Sequence, residues 1–343
     1  MNPYLSTKLS ILSLLSIIGV LVIHSYYLEA ETFPCAFYLQ KLVNRHLEFC
    51  VPLFFAISGY LFFNRLEKSK ELGLKLKRRF RSLLLPYLIW NTLFFFSIII
   101  LQCIPAVNQY VNTDFLSLLR NNNLYDIFRY IYWEPAAFHL WFLKYLILFM
   151  LSAPLIYLAL SKRYISCVFF LFLYLLLGVF CVLNSHASCY IYFVAGAYAA
   201  RFHLNINRPI SIFSLCMIIA IYVIWSSSSI FLPVLNISQL NHPRIILALI
   251  GVWGLYDVIY KKLSLFSNLQ TFAGYTFFVY LFHEPWINIY KKMALKLLGI
   301  STISLIAAYL IVPILMYVTS IYIAKLIRTL TPKIYTLLTG GRI

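Results

Sequence analysis

His24, Lys144, His283 and Glu284 lie inside long apolar stretches or at their ends. An ionisable side chain at the centre of a bilayer costs about 2.5–3.5 kcal/mol on insertion scales, so one that is kept there marks function by default. On an ideal helix Ser13, Ser16, His24 and Tyr27 fall within about 80° of arc, a polar stripe. An imidazole on that stripe suits proton transfer, because an ordinary histidine titrates near pH 6.5. The bland alternative, a histidine bonded to backbone, is less favoured inside a membrane span than in a soluble core. Trp141, Lys144, Tyr145 and Ser152 share a second face about 100° wide. Snorkelling by Lys144 and interface anchoring by Trp141 would explain that pair without chemistry. Thr276, Tyr280, His283 and Glu284 share a third face, and Pro285 ends or kinks the helix beside them. A His next to a Glu at a broken helix is either an acid–base pair or a cap for the break. Arg78 and Arg81 stand one helical turn apart, so their guanidinium groups can converge on one anion. On charge alone, that basic run reads as membrane retention and attraction to anionic lipid.

The elements that must position these groups follow from composition. Of 343 residues, 62% are apolar and only 11% are Asp, Glu, Lys or Arg. A soluble domain is about half apolar and about one quarter charged, which excludes an ordinary soluble globule, a disordered chain and a coiled coil. The expected fold class is an all-α integral membrane bundle of about ten transmembrane helices. The spans are read at 9–28, 47–63, 82–104, 138–160, 164–183, 189–200, 210–227, 244–260, 269–288 and 301–325. The first is read as a retained helix, since Lys8 is its only basic residue and no A-x-A site follows. An even span count puts both termini on one side. The basic block Arg65–Arg81, with Lys162, Arg163, Arg201, Arg208, Lys261, Lys262, Lys325, Arg328, Lys333 and Arg342, makes that side cytoplasmic. Lys291, Lys292 and Lys296 then fall outside, against the rule. The formal charge of +18 is read as that bias and not as nucleic-acid binding, because no separate basic domain or zinc-finger spacing accompanies it. Cys35, Cys50, Cys103, Cys167, Cys181, Cys189 and Cys216 show no CxxC and read as small apolar packers. The histidines lack ligand spacing within one element, so no metal is expected.

Five motifs line up in order along the chain. They are Val22-Ile23-His24; Phe54-Phe55-Ala56-Ile57-Ser58-Gly59; Arg78-Arg79-Phe80-Arg81 leading to Pro86-Tyr87; His139-Leu140-Trp141-Phe142-Leu143; and Tyr280-Leu281-Phe282-His283-Glu284-Pro285. In order and spacing the chain resembles the acyltransferase-3 family of bacterial membrane O-acyltransferases over nearly its whole length. The resemblance implies a single membrane-embedded domain, 1–343, without the fused extracytoplasmic domain of some relatives, in the bacterial cytoplasmic membrane. It implies transfer of an acyl group, usually acetyl, from acetyl-CoA to a hydroxyl of a cell-surface glycan or its lipid-linked precursor. His24 then matches the family's catalytic histidine. Arg78 and Arg81 match its R-x-x-R motif, associated with the coenzyme A end of the site, and Ser58 belongs to its F-F-x-x-S-G motif. In one respect the sequence departs from the family. The cation expected eleven residues before the histidine is Ser13 here, and Lys8 points about 160° away from His24. Lys144 is the candidate replacement.

A sugar hydroxyl is a poor nucleophile near neutral pH. A histidine taking its proton typically contributes about 10²–10⁴-fold, either directly or through an acyl-histidine relay. Lys144, Trp141 or Ser58 would serve the oxyanion, and Tyr280, His283 and Glu284 complete the candidate set. The rival reading is a transporter of a glycolipid or small anion. Paired broken helices in two related halves would favour it, and the sequence shows one break, at Pro285, and no repeat.

Overall fold

The computed structural model describes residues 2–66, 69–108, 114–121, 123–179, 185–236, 238–260 and 266–341. Lys261, Lys262, Arg342 and Cys181 lie outside the described residues. Within them every regular element is helical. The main helices are α1 (Pro3–His24), α2 (Pro34–Leu47), α3 (Cys50–Phe63), α4 (Ser69–Gln102), α5 (Trp141–Leu151), α6 (Ala153–Ala159) and α7 (Arg163–Leu173). There follow α8 (Tyr190–Arg201), α9 (Ile212–Phe231), α10 (Ser238–Tyr260), α11 (Phe266–Ala273), α12 (Thr276–Leu298), α13 (Thr302–Leu330) and α14 (Pro332–Thr339).

By length and composition, six helical stretches among the described residues can cross a membrane: α1, Pro34–Phe63, Lys70–Gln102, α9, Gln239–Tyr260 and α13. A seventh is made if Leu124–Trp133 and Phe138–Leu151, bent by 71°, count as one span. The all-α membrane architecture stands. The other expected spans are helical but broken or short, each for a local reason. The 138–160 run divides at Ser152, because Pro154 starts a new helix and cannot continue the old one. The 164–183 run passes from α7 into a wider π-helical stretch, Tyr174–Val179. The 269–288 run is cut at Gly274 and Tyr275, and again at Glu284, whose φ of −99° and ψ of 138° are not helical. The first span ends at His24, short of residue 28. The Tyr27 N–H is taken at 2.9 Å by the buried side chain of Gln40, which turns the chain onto α2. Tyr27 therefore leaves the polar stripe that helix geometry had assigned it.

Short helices need a tight partner. α3 and α8 find one in each other: a Cβ on Gly59 would overlap the carbonyl oxygen of Phe193, and a Cβ on Gly196 would overlap that of Ala56. Backbone meets backbone there because both residues lack a side chain, the mode of close packing available to helices in lipid. The glycine of the F-F-x-x-S-G motif thus seats α8 against the helix that carries Ser58.

Polar stitches fasten the two ends of the bundle. At one end Lys8, fully buried, pairs with Asp257 at 2.6 Å and lies 4.1 Å over the Trp253 ring. Tyr4 donates to the same carboxylate oxygen. Trp253 donates to the Ile206 carbonyl at 2.7 Å, and Trp90 to the Leu338 carbonyl at 3.1 Å, tying α14 to α4. At the other end Tyr309 donates to Asn44 at 2.8 Å, and Arg45 to Ser229 at 2.8 Å. Buried Asn91 of α4 holds the segment before α5 by accepting from the Ala137 N–H at 3.2 Å. Four of the cysteines, Cys35, Cys103, Cys167 and Cys216, are on the outer surface of the bundle, while Cys50 and Cys189 pack inside.

Candidate active site

Three helices bring three imidazoles and a carboxylate together. His24 closes α1, His139 precedes α5, and His283 and Glu284 occupy the break in α12. Ring centroids of His24 and His283 are 5.1 Å apart, and those of His139 and His283 are 4.8 Å apart. His24 Nδ1 faces Glu284 Oε1 at 3.7 Å. Glu284 Oε2 accepts from Asn288 at 2.7 Å, so the carboxylate is held from one side and offered to His24 from the other.

Pro285 explains much of this order. It has no N–H for the carbonyl of Leu281, four residues earlier. That freed carbonyl is 3.3 Å from His139 Nε2, which donates to it. His283 Nδ1 donates likewise to the Tyr280 carbonyl at 2.7 Å, and the Tyr280 hydroxyl donates to the His139 carbonyl at 3.1 Å. The two imidazole bonds each fix a tautomer. His139 Nδ1 and His283 Nε2 are thereby left as buried nitrogens without a hydrogen-bond partner among the described residues. The break in α12 thus supplies a carboxylate for one histidine and orients two more.

A cavity of about 400 Å³ reaches this cluster. Its walls include Ser10, Ser13, Ser58, Arg79, Trp141 and Thr276, as well as His24, His139, Tyr280 and His283. Ser10 and His24 both line it although fourteen residues apart on α1, about 21 Å of helix. Arg79, Ala273 and Gly274 stand in its wall together with His24, so the space runs lengthwise through the bundle. Its size lies within the range of about 300–1,000 Å³ for small-molecule pockets.

The sequence-derived candidates separate clearly. His24, Ser58, Trp141, Tyr280 and His283 line this cavity, and Glu284 stands behind His24. Ser13, where a cation was expected, lines it too, with its hydroxyl bonded to the Leu9 carbonyl at 2.8 Å. Lys144 is elsewhere: Nζ donates to the Trp133 carbonyl at 2.7 Å and lies 4.4 Å over the Trp133 ring. It therefore replaces no cation at position 13. Arg78 and Arg81 line a separate groove with Lys333 and Gly340, while the neighbouring Arg79 enters the cavity. The sign was in the periodicity. Arg79, Leu83 and Tyr87 follow at intervals of four, and the last two are buried, so Arg79 is on the inward stripe of α4. Lys291, counted against the charge rule, lies within electrostatic reach of both His24 and Glu284.

An apolar helix bundle enclosing a long cavity, with proton acceptors at one end and a guanidinium in the same wall, has the form of a membrane enzyme of group transfer. The family model described as an acyltransferase domain, acyltransferase 3, matches residues 9–325. The chain belongs to that family and is an acyltransferase. It is also similar to the succinoglycan biosynthesis protein ExoH of Rhizobium meliloti (strain 1021), with 24% identity over 356 aligned positions, covering 100% of this chain and 94% of ExoH. No solved structure matches the chain.

Proposed function

We propose that this protein moves an acetyl group from acetyl-CoA to a hydroxyl of a cell-surface glycan or its lipid-linked precursor. The cavity joining Arg79 to His24 carries the reading, because it offers an extended donor a route through the bundle to a base. Coenzyme A is polyanionic, and Arg79 stands in the wall to meet it, with Arg78 and Arg81 one face away. The topology that suits this has ten crossings, α8 and the broken elements included, in the bacterial cytoplasmic membrane with both termini in the cytoplasm. The glycan acceptor is supported by the similarity to ExoH, a succinoglycan biosynthesis protein.

In this reading His24 turns Nδ1 to Glu284, which leaves Nε2 for the substrate. Nε2 takes the acceptor hydroxyl proton as the oxygen attacks the thioester carbon. Glu284 steadies the imidazolium that forms, much as a carboxylate orients a histidine base. Ser58 and Trp141, both in the wall, would donate to the oxyanion. Collapse expels the coenzyme A thiolate, which recovers the proton from His24.

The test is transfer of labelled acetyl from acetyl-CoA to extracted surface glycans by membranes containing wild type or His24→Ala at matched expression. Wild type should transfer, and His24→Ala should fall by about 10²–10⁴-fold. Equal transfer by both would remove His24 from the chemistry. No transfer by either, across a broad panel of donors and glycans, would refute the proposed substrates.

A further inference from the structure

Beyond the reaction cavity lies a second one of about 390 Å³. The two share the side chains of Trp141 and Val51, and Ile23, next to His24, lines the second. Its polar wall is Glu48, His186, Asn241 and His242. A third cavity of about 370 Å³ also includes Glu48 and continues along α2 past Lys41, Asn44 and Arg45.

These polar groups are held in place. Arg244, completely buried, donates to Glu48 Oε2 and to the Arg45 carbonyl. Arg45 Nη1 reaches both Glu48 oxygens, at 3.1 and 2.9 Å, and its Nη2 reaches Asn241 at 3.3 Å. His242 Nδ1 is fixed by the Tyr192 hydroxyl at 2.8 Å. His186 stacks on Trp141, with centroids 4.0 Å apart. Sites that recognise a neutral polyol combine aromatic walls with planar hydrogen-bonding groups, which match pairs of hydroxyls, set on a rigid frame. A carboxylate, an amide and two imidazoles beside an indole form such a set. An acyl chain would find too many polar groups here.

We propose that these two cavities are consecutive subsites for a saccharide of two or more rings. The ring to be acylated occupies the space against Trp141, the next ring lies beyond Glu48 toward Lys41, and Glu48 bridges them. The inference rests on the acyl-transfer reading above and supplies its acceptor side. Free and lipid-linked saccharides share the chemistry, and a lipid-free probe separates the two sources.

The experiment uses the full-length protein in lipid nanodiscs with acetyl-CoA. The acceptors are lipid-free oligosaccharides cut from de-O-acylated surface glycan of the source cells, in short and long fractions. Asn241→Phe, which fills the inner subsite, should raise the acceptor KM about tenfold or more, a loss of about 1.4 kcal/mol, with the acetyl-CoA KM unchanged. Lys41→Ala, on the protein surface, should raise KM about threefold for the long fraction only, and it keeps the test valid if Asn241→Phe fails to fold. Wild-type acceptor KM in Lys41→Ala and in folded Asn241→Phe, with transfer intact, would overturn the subsites alone. With the lipid-linked precursor run beside the lipid-free fractions, transfer to it alone would make the lipid-linked saccharide the occupant, and the same two KM shifts are then read on it. Absence of any transfer by wild type would overturn the acyl-transfer reading and the subsites together.

Discussion

The Lys8–Asp257 pair gives a perturbation whose outcome follows from the geometry. Lys8 is fully buried, its only carboxylate partner among the described residues is 2.6 Å away, and the Asp257 side chain is 14% exposed. At an effective dielectric of about 20, unit charges at that distance attract by about 6 kcal/mol. Desolvation consumes much of this, so the pair as a whole adds little net stability, whereas breaking one side costs about 3–5 kcal/mol. A second argument caps the figure. An ordinary lysine can shed its proton at pH 7 for about 4.6 kcal/mol, so stranding the ammonium cannot cost much more. Asp257→Asn should therefore lower thermal stability sharply. Lys8→Met combined with Asp257→Leu should restore it to wild type or above. Size-exclusion chromatography after graded heating reads stability, and labelled acetyl transfer reads function on the same preparations. The double variant should keep transfer, since Lys8 faces α10 and not the His24 cavity. Wild-type stability of Asp257→Asn would refute the energetic argument. A folded double variant without transfer would show that Lys8 serves the chemistry, and would refute its placement as structural.

Two further outcomes follow from the same structure. Arg79→Gln should raise the acetyl-CoA KM about tenfold or more, the loss of one charged hydrogen bond at about 1.5–3 kcal/mol, with the acceptor KM unchanged. An unchanged donor KM in steady-state kinetics would detach Arg79 from the donor. Gly196→Ala should cost about 1–3 kcal/mol or more, because the added methyl meets backbone that cannot turn aside. The readout is loss of the monodisperse peak on size exclusion, and a normal peak and melting temperature would show that α3 and α8 have room to part.

The membrane class and the clustering of His24, His283 and Glu284 were legible because hydrocarbon makes both conspicuous. His24, His283 and Glu284 stood out as ionisable groups in apolar runs, and Pro285 announced the break that orients them. What sequence alone did not give was direction across helices. The R-x-x-R motif drew attention to Arg78 and Arg81, but the 100° turn between neighbours sends Arg79 into the cavity instead. Lys144 looked like a replacement cation, yet a flexible four-carbon stem lets it reach the Trp133 carbonyl. The segment Pro34–Leu47 carries Lys41, Arg45 and His46 and reads as external loop, although it folds as a helix. That helix brings Arg45 close to Glu48 and Arg244, 199 residues further on, and no local pattern predicts such a partnership. Within the described residues the ten apolar runs are largely helical, but several are too short or too bent for a simple crossing. Their breaks depend on Pro154 and on Gly274, residues that hydropathy averages over.

The partition between the two large cavities has a consequence for the cell's energy supply. It is made where Trp141 and Val51 serve both spaces, so a wall one side chain thick stands between them. In a membrane that stores a proton gradient, an enzyme with such a thin wall is also a plug. On the proposed reading, the indole has to let the acceptor hydroxyl reach His24 while denying hydronium a continuous file of water. On that reading Trp141 insulates as well as serving the chemistry, and a smaller residue there would let protons leak across the membrane.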